Sequence, residues 1–234
     1  ALQRLGLGEV VFLLPGKAED WERRFAEPGI RCRTRVEEAF SVNGILNTAH
    51  EEEVSLIAIN LKKGAGRHSR RSLIRSLIRS SPAPLILMPK GVTVTRSKES
   101  GIFDHVIFPT DWSPVSEKAM AFLLDFKKIT GELEIVAVIS SKLSVRDMRN
   151  LKKRLEDTRK IFLHEGIDAE AHVYAGKPSE EIMLASRDYS ATSIIMGTSG
   201  RSSLKDIFCP SCSYSVAEEA AVPVLVVPSS EGGK

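Results

Sequence analysis

Cysteine is scarce in this 234-residue chain, where Cys32, Cys209 and Cys212 are the only three. Three thiols so unevenly placed cannot build a disulfide framework, which fits a reducing compartment. The five histidines (His50, His68, His105, His164 and His172) have no ligand spacing with those cysteines, so spacing predicts no metal site. No apolar run approaches the roughly 18–20 residues that span a bilayer. The first residues also lack the basic-then-apolar pattern of a secretion signal. A cytoplasmic location without membrane insertion is therefore expected. Aromatic residues are few, at 6%.

What is present suits a globular protein of one large or two small domains, with 42% hydrophobic and 27% charged residues. The net charge of +3 hides an asymmetry: residues 1–99 hold 17 of the 33 Lys and Arg but 11 of the 30 Asp and Glu. Much of it lies at 60–79, with seven basic residues (Lys62, Lys63, Arg67, Arg70, Arg71, Arg75 and Arg79) and no acid. Arg67, Arg71, Arg75 and Arg79 recur every four residues opposite Leu73, Ile74, Leu77 and Ile78. The expectation is an amphipathic helix with a solvated basic face. A nucleic-acid surface is the sharper alternative, but no Phe, Tyr or Trp interrupts the segment to stack bases.

An internal repeat organises the chain. Residues 29–63 lie over 166–200 at a constant offset of 137, and 82–89 lie over 221–228 at an offset of 139. In the second copy, 105–109 is a short apolar strand, and Ser113-Pro114 is a helix N-cap with proline at the first helical position. Val115, Ala119, Phe122, Leu123 and Phe126 form that helix's buried face. The run 134–139 predicts a strand covered on both sides. Met148, Leu151, Leu155 and Phe162 mark an amphipathic helix to about 165. Strand 168–174, helix 179–187, strand 192–196, helix 211–219 and strand 223–227 follow. Alternating β and α segments with apolar strands predict a parallel, doubly wound sheet.

The first copy starts mid-pattern. Residues 1–5 read as a helix tail and 9–14 as the second strand, while nothing corresponds to 105–113. In strand order 3-2-1-4-5 the first strand is central, so residues upstream of this sequence are suspected. The domain boundaries expected are 1–92, a polar linker at 93–101, and 102–234.

Met196-Gly197-Thr198-Ser199-Gly200 ends a strand, and Ser211 is expected to open the next helix. Glycines let backbone approach a phosphate, and a helix start offers unpaired N–H donors. Asp111 ends the first strand at the same sheet edge. At these residues the chain resembles the universal stress protein family. Its nucleotide-binding members carry Gly-x2-Gly-x9-Gly-[Ser/Thr], then a helix and a Pro-Val-Leu-Val-Val strand. Gly197, Gly200 and Ser211 match, as do Pro109-Thr110-Asp111-Trp112-Ser113 and the strand 223–227; Pro210 replaces the third glycine.

The resemblance implies a tandem α/β fold of two Rossmann-like, adenine nucleotide alpha hydrolase-like sheets. It implies ATP or AMP as ligand, with or without Mg2+. Asp111 and Val138 would contact adenosine; Gly197, Gly200, Ser211 and Ser213 would surround the phosphates; Pro109, Thr110, Met196 and Cys212 complete the expected nucleotide-binding set. Pro210 removes an N–H and a flexible backbone point beside the phosphates, which favours AMP over ATP or abolishes binding. The first copy has Asn60 and Lys63 at the glycine positions and Arg71-Ser72 for Pro210-Ser211, so it is expected to be a structural partner.

No general base stands out near Arg201, Lys205 and Asp206, so an enzyme is not expected. Cys209-Pro210-Ser211-Cys212 also admits a thiol switch. A structural or interaction protein, such as the cytoplasmic regulatory part of a transporter, is the runner-up. The apolar terminal strands 85–88 and 224–227 would lie at sheet edges. They are expected to pair with each other, as an intramolecular pseudo-dimer, or across a homodimer.

Overall fold

The computed structural model describes residues 8–14, 31–36, 41–60, 67–89, 101–198 and 210–229. The tail at 1–5, most of the linker at 93–101, and Gly200, Arg201, Lys205, Asp206 and Cys209 of the loop before the last helix lie outside the described residues, as do the side chains of Pro210 and Ser211. The chain divides into two compact units, 1–54 and 55–234. By compactness, therefore, the later elements of the first repeat group with the whole second repeat.

In the first unit, β1 (Glu9–Leu14) and β2 (Arg31–Val36) pair in parallel from Glu9↔Arg31 to Leu14↔Val36. Helix α1 (Val42–Glu51) starts where the Ser41 hydroxyl accepts the Gly44 N–H at 2.9 Å, a side-chain cap for an otherwise unpaired donor. Arg33 bridges Glu9 and Glu52, and Arg35 bridges Glu51 and Glu52 at 2.9 and 3.0 Å.

The second unit holds a seven-stranded sheet built from β3 (Ile57–Asn60), β4 (Leu85–Met88), β5 (His105–Pro109), β6 (Glu132–Ile139), β7 (Asp168–Ala175), β8 (Ser193–Gly197) and β9 (Val224–Val227). Their order is β3-β4-β9-β8-β5-β6-β7. Every neighbouring pair is parallel except β4 and β9. The second repeat thus has the expected 3-2-1-4-5 order. Among the described residues, no strand of the first repeat takes the place that β5 holds in the second.

Helices connect the strands of this unit. Helix α2 (Arg67–Ser80) precedes β4, while α3 (Pro114–Asp125) packs on β8 and β9, and α4 (Val145–His164) on β6 and β7. Helix α5 (Pro178–Asp188) covers β5, β6 and β7, and α6 (Pro210–Glu219) lies on β9, against α5 and α2. The sequence reasons are visible in the core. Residues 133–138 are all buried, as a strand covered on both faces must be. Val115, Ala119 and Leu123 are buried as expected, whereas Phe122 and Phe126 are half-buried and meet each other at 4.7 Å between ring centroids. Phe108 and Phe162 are fully buried and meet edge to face at 5.8 Å, each worth about 1.5–3 kcal/mol in burial.

The β4–β9 seam is self-complementary. Leu85 pairs with Val226, Ile86 with Leu225 and Leu87 with Val224. At the repeat offset of 139 these are equivalent positions with their order exchanged, the mark of a two-fold relation. The edges are satisfied within the chain, as one of the two expected arrangements has it. The basic face of α2 corrects a sequence expectation, because it is not wholly solvated. The Arg71 and Arg75 Nε atoms bond the two carboxylate oxygens of Glu218 on α6 at 3.0 and 2.8 Å, and Arg70 donates to the Glu218 carbonyl at 3.2 Å. Glu218 is buried, and a buried carboxylate requires such partners. No helix among the described residues is long and apolar enough to cross a membrane.

Candidate functional site

Strand order reverses in the second repeat between β5, which leads to β6 on one side, and β8 on the other. Such a switch point opens a crevice at the carboxyl ends of the strands. Two strand-to-helix connections meet this edge, β5 to α3 and β8 to α6. They carry most of the residues singled out in the sequence.

The first connection is tightly determined. Pro109 ends β5, and Thr110 is buried, its N–H donated to the Val136 carbonyl at 2.9 Å. The Thr110 hydroxyl meets the Ser116 hydroxyl at 2.8 Å and accepts the Trp112 N–H at 3.1 Å. Asp111 is half-buried, and its Oδ1 accepts the Ser113 N–H at 3.0 Å. Ser113 then caps α3, accepting the Ser116 N–H at 3.3 Å. Trp112 has φ +57°, a left-handed conformation that is a true outlier for a bulky residue. Its indole N–H donates to Thr158 at 2.9 Å, and the Arg154 guanidinium lies 4.4 Å from the ring centroid. Surrounding contacts of this kind are what hold such strain, of about 1–3 kcal/mol, in place. Trp112 entered the sequence reading only as a member of the motif at 109–113, and Arg154 and Thr158 not at all, since nothing in their spacing signals a backbone outlier.

The second connection begins at Met196, buried, and Gly197 at the end of β8. A Cβ on Gly197 would stand 2.7 Å from both the carbonyl oxygen and a methyl of Val115, in the first turn of α3. Glycine is thus required for β8 and α3 to approach, whatever a ligand asks. Thr198, also buried, donates its N–H to the Val227 carbonyl at 2.9 Å and accepts the Ser229 N–H at 3.3 Å. Pro210, not Ser211, is the first residue of α6. A first-turn N–H has no partner within a helix, so proline there costs the helix nothing. Cys212 and Ser213 are buried in the first turn, and Val138 is buried near the carboxyl end of β6. The edge therefore gathers Pro109, Thr110, Asp111, Val138, Met196 and Gly197 on strand ends, with Ser211, Cys212 and Ser213 in the opening turn of α6. Gly200 lies outside the described residues.

A second polar cluster lies on the other half of the same sheet, and sequence spacing did not reveal it. Glu134 of β6 is buried between His105 of β5 and His172 of β7, whose Nε2 atoms are 2.9 and 2.6 Å from its two carboxylate oxygens. The Tyr189 hydroxyl is 3.1 Å from His172 Nδ1, and the Tyr174 hydroxyl donates to Asp188 at 3.0 Å. Burial is the main cause holding both phenols above the ordinary tyrosine range.

Fold and edge together define a doubly wound α/β domain with a crevice of the kind in which open parallel sheets take ligands. The chain belongs to the universal stress protein family, whose family model matches residues 103–228. It is similar to universal stress protein MJ0577 of Methanocaldococcus jannaschii, 25% identical over 156 residues covering 55% of this chain and 96% of that protein. It is also similar to universal stress protein YxiE of Bacillus subtilis, 26% identical over 147 residues covering 54% and 99%. The crystal structure of a universal stress protein from Archaeoglobus fulgidus shares its fold with a TM-score of 0.72 at 22% identity, covering 99% of this chain and 89% of that one.

Proposed function

We propose that the chain is a cytoplasmic, nucleotide-responsive regulatory module. Adenine nucleotide occupies the crevice of the second repeat, and occupancy alters the surface offered to a partner. Asp111 and Val138 take the adenosine, while Gly197, Gly200, Ser211 and Ser213 take the phosphates. Mg2+, if bound, would be held chiefly through the nucleotide, supplying charge neutralisation, rather than by an all-protein site. The observation that carries this reading is the meeting of β5 and β8 at the switch point, each leading into a helix. One connection is braced around a left-handed Trp112. Helix starts favour anions, and a braced turn holds its neighbouring carboxylate without further ordering cost.

Proline at the first position of α6 leaves that helix intact but removes one donor from the phosphate end. AMP is therefore the preferred ligand over ATP. The module is not an enzyme, and multiple-turnover phosphate release from ATP stays below about 1 per second, under the median enzyme turnover. The test is mass spectrometry of small molecules released from the purified chain, with thermal unfolding in ATP, ADP and AMP. Adenine nucleotide in the released fraction and an AMP-dependent rise in melting temperature are expected. No released nucleotide and no shift with any of the three would leave a structural or interaction role instead.

A further inference from the structure

We propose that Glu134, Glu170 and His172 form a three-ligand site for a divalent transition-metal ion of the zinc type, with His105 beside it, at the β5–β6–β7 end of the sheet. Two adjacent parallel strands supply the ligands, and a third carries His105. Ile107 pairs with Glu134, Glu134 with Glu170, and Val136 with His172. Ligand atoms of Glu134, Glu170 and His172 all lie within 4.8 Å of one another. His172 Nε2 is 2.6 Å from Glu134 and 3.8 Å from Glu170, and His105 Nε2 is 2.9 Å from the other Glu134 oxygen. Ligand atoms on a tetrahedral zinc with bonds near 2.0 Å stand about 3.3 Å apart, so side-chain movements of up to about 1.5 Å bring the atoms of Glu134, Glu170 and His172 onto one ion.

The donors are one imidazole and two carboxylates, a nitrogen-and-oxygen set that suits zinc and leaves a fourth position open. The His172 imidazole must present Nε2 as a lone pair, which sends the tautomeric proton to Nδ1. An oxygen faces that nitrogen: Tyr189 Oη is 3.1 Å from His172 Nδ1. Metal-bound histidines characteristically have such partners, which fix the ring and its tautomer. Glu134 is buried while Glu170 is exposed, so one ligand anchors the site and the other faces solvent, where an ion enters.

The first repeat provides an internal contrast. Arg33 and Arg35 stand where Glu170 and His172 do, at the offset of 137. The matching registers Glu9↔Arg31 and Glu132↔Asp168 place Val11 at the position of Glu134. None of these three side chains binds zinc. The cluster is thus confined to one copy, and it is independent of the nucleotide reading.

The test is calorimetric titration of the nucleotide-free full chain with Zn2+, together with Co2+ absorption. One-to-one saturation, ligand-field bands of nitrogen and oxygen donors, and a Zn2+-dependent rise in melting temperature are expected. His172→Gln should weaken binding at least tenfold, and the exposed Glu170→Gln, which leaves the core untouched, about threefold or more. A triple serine variant of Cys32, Cys209 and Cys212 should bind as the parent does. Absence of saturable binding, a thiolate charge-transfer band, or equal affinity in the parent and both ligand variants would overturn the proposal.

Discussion

The two repeats solve the same local problem with different chemistry. At the offset of 137, Arg35 and Glu52 of the first copy occupy the positions of His172 and Tyr189 in the second. Each pair is joined across a strand and a helix end, Arg35 to Glu52 at 3.0 Å and His172 to Tyr189 at 3.1 Å. One copy uses charge at the surface, and the other uses aromatic rings around a buried carboxylate. A second divergence lies at the strand ends, where Asn60 closes β3 as Gly197 closes β8. A third separates the helices that follow: Pro210 starts α6, whereas α2 runs one turn further back, to Arg67, past the equivalent Arg71. The backbone pattern tolerates wide change where side chains meet water, and the copies also part company at the carboxyl ends of β3 and β8.

Exchanging the strand-end residues gives the largest expected effect. Gly197→Asn places a Cβ against the Val115 backbone, which cannot yield as a side chain can. A loss of about 3 kcal/mol is expected, read from the urea midpoint, with nucleotide affinity lost as well. The reciprocal Asn60→Gly should cost no more than about 1 kcal/mol and create no nucleotide binding in the first copy. Equal costs for the two exchanges would mean that the copies do not differ at this edge.

The seam between the copies is next. Glu218→Gln keeps the shape but turns one acceptor into an NH2 group facing a guanidinium. A loss of about 2 kcal/mol is expected, since Glu218 is buried while Arg71 and Arg75 are partly wetted and can turn outward. Amide exchange in β4 and β9 should accelerate together. Acceleration in β9 alone would mean that the first copy's strand does not depend on this contact.

A smaller change probes the braced turn, for which the first copy has no described counterpart. Trp112→Phe retains a ring but removes the N–H held by Thr158, whose hydroxyl keeps its bond to the Arg154 carbonyl at 2.9 Å. A loss of about 1 kcal/mol is expected, with AMP affinity falling by about tenfold if the turn's rigidity serves binding. Unchanged affinity would confine Trp112 to a structural role.

How much of this was legible follows from where each signal resides. The alternation of strands and helices, the Ser113-Pro114 helix start and the buried run of β6 were readable, because periodicity, caps and repeats are local, while the strand order came with the resemblance. The partnership of α2 with Glu218 was not, since a residue 143 positions from Arg75 satisfies it. His105, Glu134 and His172 are likewise brought together by strand register, so spacing rules for ligands near one another in sequence pass over them. The φ of Trp112 is set by tertiary contacts. Asp111 and Gly197 were legible as members of a motif, but the second role of Gly197, making room for α3, appears only in the packing.

The smallest effect concerns acid. Hydrogen bonding from Arg33, then Arg35, holds the Glu52 carboxyl below the ordinary glutamate range, and Lys127 does the same for Glu165 in the second copy. A depressed carboxylate contributes stability that is complete above its unfolded value, near about 4.3, and is lost as pH falls through the folded one. Both units should therefore weaken below about pH 4, modestly, since solvent screens such pairs. Glu52 takes two planar guanidinium forks where Glu165 takes one mobile ammonium, so Glu52→Gln should flatten the acid limb of the melting-temperature profile more than Glu165→Gln. The reverse order would mean that the surface charge pairing of the first copy does less for its unit than one lysine does for the second.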